Sequence, residues 1–467
     1  MLIYILMLTF SDLRFIFRIF PILVLIYYIT PTKLRAWVLL IGSIALYAVG
    51  EPYFVFLLLG LTVLNYLLGK GVHALRGGKR KVLLVLALLL DIGALAAFKV
   101  LGTYVDSAFL PVGISFYCFK MISYQADLYR GKMVTRPSFR DTALYFCFFA
   151  QILQGPVTRF DFITHNHLWR ERHYAVSEKE HRRKVLEDVD DGLRYFILGL
   201  SMKILLADHL AMLWNQLKTI GFETISTPLA WLGAYGYSLE LYFDFWGYSL
   251  MAAGLGVMLG FPFVKNFDQP YGACGVADFY RRWHITLGMF LRDYVYFPLG
   301  GSRCGKIRTF FNLLVVWIIT GIWHGLTPNF LIWGLSLFFL IVMEKFLWNR
   351  WKFTRLVMGH FHVLVLVPLT WAVFAIPDLT ELGFYMMRLF PFWGHGISVN
   401  PLDFSRYGVG FFGFFITGLI MLIPGVYRLM VNHRKKPVMS VILFTLFWLC
   451  VYSLCTSAGN PFMYLKF

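Results

Sequence analysis

Long apolar runs alternate with short polar or basic connections along this chain of 467 residues. A helix needs about 20 apolar residues to cross the hydrocarbon core of a bilayer. Twelve runs approach that length, so the pattern predicts an all-α polytopic membrane protein. The candidate spans are 13–29, 36–50, 52–68, 82–98, 108–127, 192–212, 228–258, 310–323, 326–345, 357–376, 407–428 and 438–455.

The composition agrees with that pattern. Hydrophobic residues make up 59% of the chain and charged residues 15%, whereas a soluble domain carries about 25% charged residues. The lipid bilayer must therefore solvate much of the apolar surface. The first run, 13–29, is long enough to span, and no small-residue cleavage site follows it. We expect an inserted chain and not a secreted one.

The formal net charge of +18 is best explained by membrane topology. Lys and Arg collect in the connections, as they do in cytoplasmic loops. When the spans alternate from the basic loop 76–81, that loop, 170–184, 349–355 and 433–436 are cytoplasmic. Both termini are then extracytoplasmic. No soluble domain carries interleaved basic residues, so we expect no nucleic-acid partner.

Two segments depart from simple spans. Residues 142–158 are apolar but have basic residues on both sides, which predicts a re-entrant segment that returns to the cytoplasmic face. Such backbone survives in a bilayer only where protein or a wet cavity covers it. Residues 265–308 mix aromatic and basic side chains, including Trp283. This composition favours interfacial helices on the cytoplasmic face.

Two of the twelve histidines stand out. His324 lies in TGIWHGLTPNFLIWG, between two apolar arms, and the Gly325 and Pro328 that follow predict a helix break. A helix over 310–323 would rise about 21 Å from the cytoplasmic face, which carries His324 well into the bilayer. An ionisable residue there predicts a functional site. The alternative is a neutral buried histidine bonded to a backbone carbonyl.

The imidazole of His324 suits acyl transfer. It can take a proton from a hydroxyl near neutral pH and return it to a leaving group. His284, 40 residues earlier in DFYRRWHITLGMF, could orient the substrate, share the proton or bind the thioester end of the donor. The alternative is an interfacial histidine among aromatic side chains.

A basic cluster surrounds His284 in sequence. Arg281, Arg282, Lys306 and Arg308, together with Trp283, are the candidate donor-binding residues. Guanidinium and ammonium groups could hold the phosphates of a nucleotide-like donor such as coenzyme A. The alternative is ordinary anchoring of cytoplasmic loops by positive charge.

The remaining polar residues predict structure and not a metal centre. The six cysteines form no C-x-x-C pair. The H-x-H pairs at 165–167 and 360–362 give two ligands each, where zinc needs three or four. Charged residues occur in or beside spans, and we expect them to pair with one another and hold helices together; some could instead lie on a hydrophilic path. They are Asp91, Lys120, Lys203, Asp208, Glu240 and Asp244.

Several segments resemble the membrane-bound O-acyltransferase (MBOAT) superfamily, most closely its bacterial alginate O-acetyltransferase branch. The matching stretches run in order along most of the chain, and YRRWHITL together with WHG is the most specific pair. They are FSDLRFIFRIFPILVLIYY, LPVGISFYCFKMISYQADLYRG, QILQGPVTR, YSLELYFDFWGYSLMAAGLGVMLGFPFVKNFDQPY, ADFYRRWHITLGMFLRDYVYFPLGGSR, TGIWHGLTPNFLIWG and NPFMYLKF.

The resemblance implies that His324 is the catalytic histidine and His284 the second active-site residue. It implies one integral membrane domain over 1–467, with a catalytic core at 108–345 and cytoplasmic or interfacial segments at 159–191 and 265–308. The implied fold is a ring of about 11–12 tilted transmembrane helices, with re-entrant and interfacial helices around a thinned central pore. A cytoplasmic tunnel and an outer funnel meet there at the histidine.

The implied reaction moves an acetyl group from cytoplasmic acetyl-CoA, a substrate and not a resident cofactor, to an extracytoplasmic polysaccharide. The implied location is the inner (cytoplasmic) membrane. Related systems use an extracytoplasmic transferase of the SGNH type. The longest outer stretch here, about 378–406, is too short for a catalytic domain, so we expect such a partner.

Two departures and two alternatives remain. Cys118 stands where the family usually has Thr, and Trp246 where it often has Ser, which would change pocket size near the tunnel. D-alanyl transfer to teichoic acid from a carrier-protein thioester is an alternative reaction. A polysaccharide transporter or flippase is an alternative of another class, but it favours an inverted repeat, and we find none.

Overall fold

The computed structural model describes residues 9–133, 137–153, 155–170, 177–348, 352–390, 400 and 402–456. Every regular element in those ranges is a helix, which confirms the predicted all-α class. The last resembling stretch, NPFMYLKF, and part of the predicted cytoplasmic loop 170–184 lie outside the described residues.

The helices are labelled in chain order. They are α1 (Phe20–Ile29), α2 (Thr32–Gly50), α3 (Phe54–Ala74), α4 (Gly77–Tyr104), α5 (Ile114–Tyr129), α6 (Phe139–Cys147), α7 (Phe149–Ile152), α8 (Asp161–Thr164), α9 (His167–Arg170), α10 (Glu178–Ser201), α11 (Asp208–Ile220), α12 (Thr227–Met258), α13 (Val276–Arg282), α14 (Ile285–Leu291), α15 (Lys306–His324), α16 (Pro328–Phe346), α17 (Lys352–Phe361), α18 (Val367–Ala375), α19 (Leu379–Leu389), α20 (Phe412–Leu422), α21 (Pro424–Asn432) and α22 (Pro437–Thr456). Single π-helical turns extend or join several of them, at Phe15–Ile19, Met202–Ala207, Arg292–Tyr296, His362–Leu366 and Phe404–Gly408.

Nine helices in the described part of the chain are long and apolar enough to cross a membrane. They are Thr32–Gly50, Phe54–Ala74, Gly77–Tyr104, Glu178–Ile220, Lys306–His324, Pro328–Phe346, Leu356–Ala375, Phe404–Leu422 and Pro437–Thr456. The other three predicted spans are helical as well: Phe15–Ile29 is a shorter apolar helix, α5 has 16 residues, and α12 is buried from Gly236 to its end. The chain is a multi-pass membrane protein.

The described residues cluster into two compact units, one within Met1–Gly199 and Tyr248–Lys265, the other within Leu200–Gly247 and Asn266–Met463. In the first unit, buried polar side chains join three consecutive helices. Asn65 on α3 donates from Nδ2 to Oδ1 of Asp91 on α4 at 2.7 Å. Gln125 on α5 donates from Nε2 to Oδ1 of Asn65 at 2.9 Å. In an apolar medium such bonds fix the register of neighbouring helices.

The segment after α5 doubles back, as the re-entrant prediction requires. The hydroxyl of Tyr145 on α6 donates to the carbonyl of Thr158 at 2.7 Å, and the hydroxyl of Thr158 donates to Oε1 of Gln151 at 2.8 Å. At the tip, the amide of Phe149 donates to Oγ of Ser43 on α2 at 3.1 Å. All four side chains are buried, so protein side chains satisfy these two backbone groups, the carbonyl of Thr158 and the amide of Phe149, away from lipid.

In the second unit, α15 and α16 form a tight antiparallel pair. A Cβ added at Gly321 would lie 2.7 Å from the carbonyl oxygen of Phe330, and one added at Gly334 would lie 2.6 Å from that of Trp317. Two small residues therefore let the backbones approach closely, as in other membrane helix pairs. This pair carries His324 at its corner.

Replacing Gly334 by Ala should push α16 away from α15, because the obstacle is a backbone atom that cannot rotate aside. We expect a loss of about 1–3 kcal/mol of stability, measured by thermal unfolding in detergent. Gly93→Ala on α4 is the matched control, because nothing lies within 4 Å of its added Cβ. Equal melting temperatures for the two variants would contradict the tight packing.

The segment 265–308 contains the short helices α13 and α14 and a π-helical turn, in place of a long span. Phe297 is 57% exposed, as an interfacial side chain would be, but Trp283 is only 5% exposed. The interfacial assignment of Trp283 is wrong, because its ring packs into the interior of the second unit against Phe279 and Trp371.

Candidate functional site

His324 is the last residue of α15, and Gly325 continues in an extended conformation. The predicted helix break is confirmed. The helix begins earlier than predicted, at Lys306, so its 19 residues rise about 28 Å. The connection to α16 is held by Asn329, whose Nδ2 donates to the carbonyl of Phe374 at 3.0 Å. This bond ties the first turn of α16 to α18.

The ring of His324 is enclosed by aromatic side chains. Its centroid lies 4.5 Å from that of Trp323, 5.0 Å from that of Trp333 and 5.2 Å from that of Phe374. All three contacts are edge-on, the residue is 7% exposed, and an imidazole so placed is shielded from bulk water. Removal of water strengthens any electrostatic or proton-transfer step at the ring.

His284 joins α13 to α14 in an unusual conformation. Its φ of 45° and ψ of 55° lie in the left-handed region, which non-glycine residues rarely adopt. The residue is 4% exposed, and its Nδ1 lies 3.1 Å from Oδ1 of Asn266. Burial lowers the pKa of His284 to about 3. The ring is therefore neutral throughout the physiological range.

One group of stacked and edge-on rings contacts both histidines, and we call it the aromatic cluster. It consists of Phe245, Phe267, Trp283, Trp333, Trp371 and Phe374. His324 contacts it at Trp333, and His284 contacts it at Phe245, with centroids 4.7 Å apart. Neighbouring rings within the cluster have centroids 5.0–5.6 Å apart. Each of the two predicted histidines thus contacts the same aromatic cluster in the second unit, at opposite ends of its chain of ring contacts.

The basic residues predicted to bind the donor lie on two helices, α13 and α15. Arg281 and Arg282, at the end of α13, both pair with Asp278, at 3.2 and 2.8 Å. Burial alone would raise the pKa of Asp278, but these arginines hold it below its ordinary value. Lys306 and Arg308 are exposed in the first turn of α15, where Arg308 donates from Nε to the carbonyl of Leu299 at 3.1 Å. Binding of a donor by these residues and by Trp283 stays a prediction.

The buried charges pair in part as expected. Lys203 contacts Oδ1 of Asp208 at 2.5 Å and Oδ1 of Asp244 at 2.9 Å, and the lysine and Asp244 are almost fully buried. Lys120 instead donates to the carbonyl of Tyr145 at 2.9 Å, and Asp91 accepts from Asn65. Their partners are neutral groups and not other charges.

The two departures from the family pattern are interior. Cys118 is fully buried and Trp246 is 2% exposed, with the Trp246 ring 5.1 Å from that of Tyr242 and 4.9 Å from that of Tyr427. Their effect on a tunnel stays a prediction. Among the described residues, no three His, Cys, Asp or Glu side chains are placed to hold a metal ion together.

Sequence reasoning missed the residues that hold the two histidines. Asn266 lies in VKNFDQPY, within a resembling stretch, but its side chain gives no signal of its own until His284 is known to contact it. Phe374 contacts His324, but it lies in an apolar span where aromatic residues are common. The residues Pro328 and Asn329 indicated a helix break, but nothing in the sequence indicated the hydrogen bond from Asn329 to Phe374.

Comparison with known proteins identifies the family. Residues 132–386, more than half of the chain, match the model of MBOAT, the membrane-bound O-acyltransferase family. The chain is 34% identical over 404 residues to the probable alginate O-acetylase AlgI of Pseudomonas syringae pv. tomato, covering 82% of this chain and 75% of that protein.

More distant relatives carry related names. The peptidoglycan O-acetyltransferase of Helicobacter pylori is 30% identical, over 70% of this chain and 68% of that protein. The teichoic acid D-alanyltransferase of Bacillus subtilis is 26% identical, over 61% and 70%. Each name describes transfer of an acyl group, and the family match covers both predicted histidines. The chain is therefore an O-acyltransferase that belongs to the membrane-bound O-acyltransferase family.

Proposed function

We propose that this protein moves an acetyl group from cytoplasmic acetyl-CoA across the inner membrane for O-acetylation of an extracytoplasmic polysaccharide, with His324 as the catalytic base. The observation that carries the proposal is the position of His324. It is a buried imidazole at the end of a membrane-crossing helix, and one aromatic cluster contacts both it and His284. The AlgI name of a 34% identical relative supports the acetyl group and the polysaccharide acceptor.

The proposed chemistry needs only the imidazole and the two substrates. The ring takes the proton of an acceptor hydroxyl as its oxygen attacks the thioester carbonyl carbon. The carbon–sulfur bond breaks, and the imidazolium returns the proton to the departing thiolate. The products are an O-acetyl ester and coenzyme A. The aromatic side chains around His324 limit its contact with bulk water, which would otherwise hydrolyse the thioester.

The donor approaches from the cytoplasmic face in this proposal. Arg281, Lys306 and Arg308 are exposed cations, suited to the phosphates of coenzyme A. The acetyl group reaches the polysaccharide with the help of an extracytoplasmic SGNH-type partner. In the topology with basic loops on the cytoplasmic side, both termini lie on the extracytoplasmic side of the membrane.

The donor separates this proposal from D-alanyl transfer. The purified protein in liposomes should consume acetyl-CoA and release free thiol in the presence of an acceptor. A D-alanyl carrier-protein thioester should be inert. Arg308→Gln should raise the KM for acetyl-CoA more than it lowers kcat, because the guanidinium would bind phosphate away from the reacting atoms. Turnover with the carrier thioester alone would favour the teichoic acid reaction, which the relative in Bacillus subtilis supports by name.

A further inference from the structure

Asn266 gathers hydrogen bonds from three consecutive residues at the start of α14. Its Oδ1 lies 3.1 Å from Nδ1 of His284 and accepts from the amide and hydroxyl of Thr286, at 3.2 and 2.9 Å. Its backbone carbonyl accepts from the amide of Ile285 at 2.9 Å. Asn266 is itself 3% exposed, so these bonds form away from water.

This arrangement fixes the tautomer of His284. A backbone amide can only donate, so the side-chain atom of Asn266 that receives the Thr286 amide must be the oxygen and not the nitrogen. That oxygen carries no hydrogen, and the ring nitrogen facing it, Nδ1, must therefore carry one. Because burial keeps the ring neutral, the other nitrogen, Nε2, holds a lone pair and no proton.

That lone pair is buried and has no hydrogen-bond partner within the described ranges of the chain. Buried polar atoms of native proteins are nearly always bonded, so an exception calls for an explanation. A ligand that donates to Nε2 supplies one.

The backbone of His284 gives a second, independent observation. A left-handed conformation at a non-glycine residue persists only where its surroundings enforce it, and such residues concentrate at functional sites. Here the two residues that follow His284 hold it in this conformation, because the amides of Ile285 and Thr286 both donate to Asn266. The amide of Gly288, which donates to the carbonyl of His284 at 3.0 Å, completes the turn.

We infer that Asn266 is a positioning residue that holds His284 as the Nδ1–H tautomer, so that Nε2 accepts a hydrogen bond from a second hydroxyl group of the acceptor, beside the attacking hydroxyl whose proton His324 takes. This inference rests on the proposed acyl transfer. It selects among the roles open to His284, because a ring fixed in this way can orient a hydroxyl but cannot donate to the thioester oxygen. The ligand class at Nε2 is therefore an alcohol, such as a sugar hydroxyl.

Variants of the full-length protein test the positioning role. Asn266→Ala removes the acceptor and should lower kcat about 10–100-fold, the usual effect of losing a bond that orients an active-site histidine, with little change in the KM for acetyl-CoA. Asn266→Asp keeps an acceptor oxygen for all three donors and should restore most of kcat. Thr286→Val is the matched control: it removes one bond to the same oxygen but leaves the bond to His284, and should stay close to wild type.

Equal losses in Asn266→Ala and Thr286→Val would overturn the positioning role and indicate a general loosening of the turn. So would a failure of Asn266→Asp to recover turnover in a protein that purifies and unfolds as the wild type does.

A spectroscopic measurement separates this inference from the proposed function. Nitrogen-15 NMR of detergent-solubilised protein labelled at histidine, compared with His284→Gln to assign the signals, distinguishes protonated from unprotonated ring nitrogens. We expect a neutral ring with the proton on Nδ1, and loss of that preference in Asn266→Ala. A proton on Nε2 in the wild type would overturn the inference while leaving the proposed acetyl transfer intact. If the NMR spectra show the expected tautomer but the protein transfers no acetyl group, the proposed function is wrong, and so is the assignment of a hydroxyl as the ligand of Nε2.

Discussion

His324→Ala is expected to lower acetyl transfer by about 10²–10⁴-fold, the range over which a positioned general base accelerates proton transfer. The physical reason is that an alcohol is a poor nucleophile until its proton is taken. The measurement is transfer of radiolabelled acetyl groups by purified protein, at acetyl-CoA concentrations above and below KM. The loss should appear in kcat and kcat/KM alike.

The matched control is His362→Ala. His362 is also buried, at 1% exposed, and its ring contacts Trp348 with centroids 4.7 Å apart. Its removal leaves a similar cavity without touching the aromatic cluster around His324. We expect His362→Ala to retain transfer and to purify as His324→Ala does. Comparable losses in both variants would show that burial of an imidazole, and not its chemistry at position 324, matters.

The second large effect is on stability. Lys203→Met should lower the free energy of unfolding by about 3–5 kcal/mol, because removing one member of a buried ion pair leaves uncompensated charge. Here Asp208 and Asp244 would face each other without the ammonium group that bridges them. Unfolding of the purified protein in detergent, followed by heat or denaturant, measures the change.

Rescue by neutral partners makes this prediction specific. Adding Asp208→Asn and Asp244→Asn to Lys203→Met should recover most of the lost stability, because no charge is then buried alone. Lys345→Met on α16, an exposed lysine in the same unit, should change stability by no more than about 0.5 kcal/mol. A triple variant as unstable as Lys203→Met would contradict the electrostatic explanation.

The helical architecture could be predicted because hydropathy reports on lipid exposure. Hydropathy did not predict the ends of the helices, because side-chain and backbone conformation determine where a helix begins. Helix α15 begins at Lys306 and not at 310, because long basic side chains can lie at the interface while their backbone is helical. Helix α5 begins at Ile114 after Gly113, whose φ is 79°. The apolar residues before it form a short 3-10 helix, Ser107–Phe109, and then a turn. Apolarity alone cannot distinguish these conformations from an α-helix.

The site could be predicted only where the local sequence around a single residue indicates its role. A histidine between apolar arms, followed by Gly and Pro, is sufficient to place His324 at a helix break. The contacts of His324 with Trp333 and Phe374, and of His284 with Asn266, join residues that are far apart or unremarkable in sequence. Asn65, which donates to Asp91, and Gln125, which donates to Asn65, were missed for the same reason, since neutral amides within spans carry no charge signal.

The central claim is that the imidazole position at 324 can be reached by a thioester from one side of the membrane and by an acceptor from the other. The most direct test is His324→Cys in a protein whose exposed cysteines Cys274, Cys304 and Cys455 are replaced by Ser. In oriented vesicles, small membrane-impermeant thiol reagents are applied from each side. We predict labelling of residue 324 from both sides, with acetyl-CoA on the cytoplasmic side slowing the reaction. A folded protein in which that thiol reacts from neither side would contradict the account.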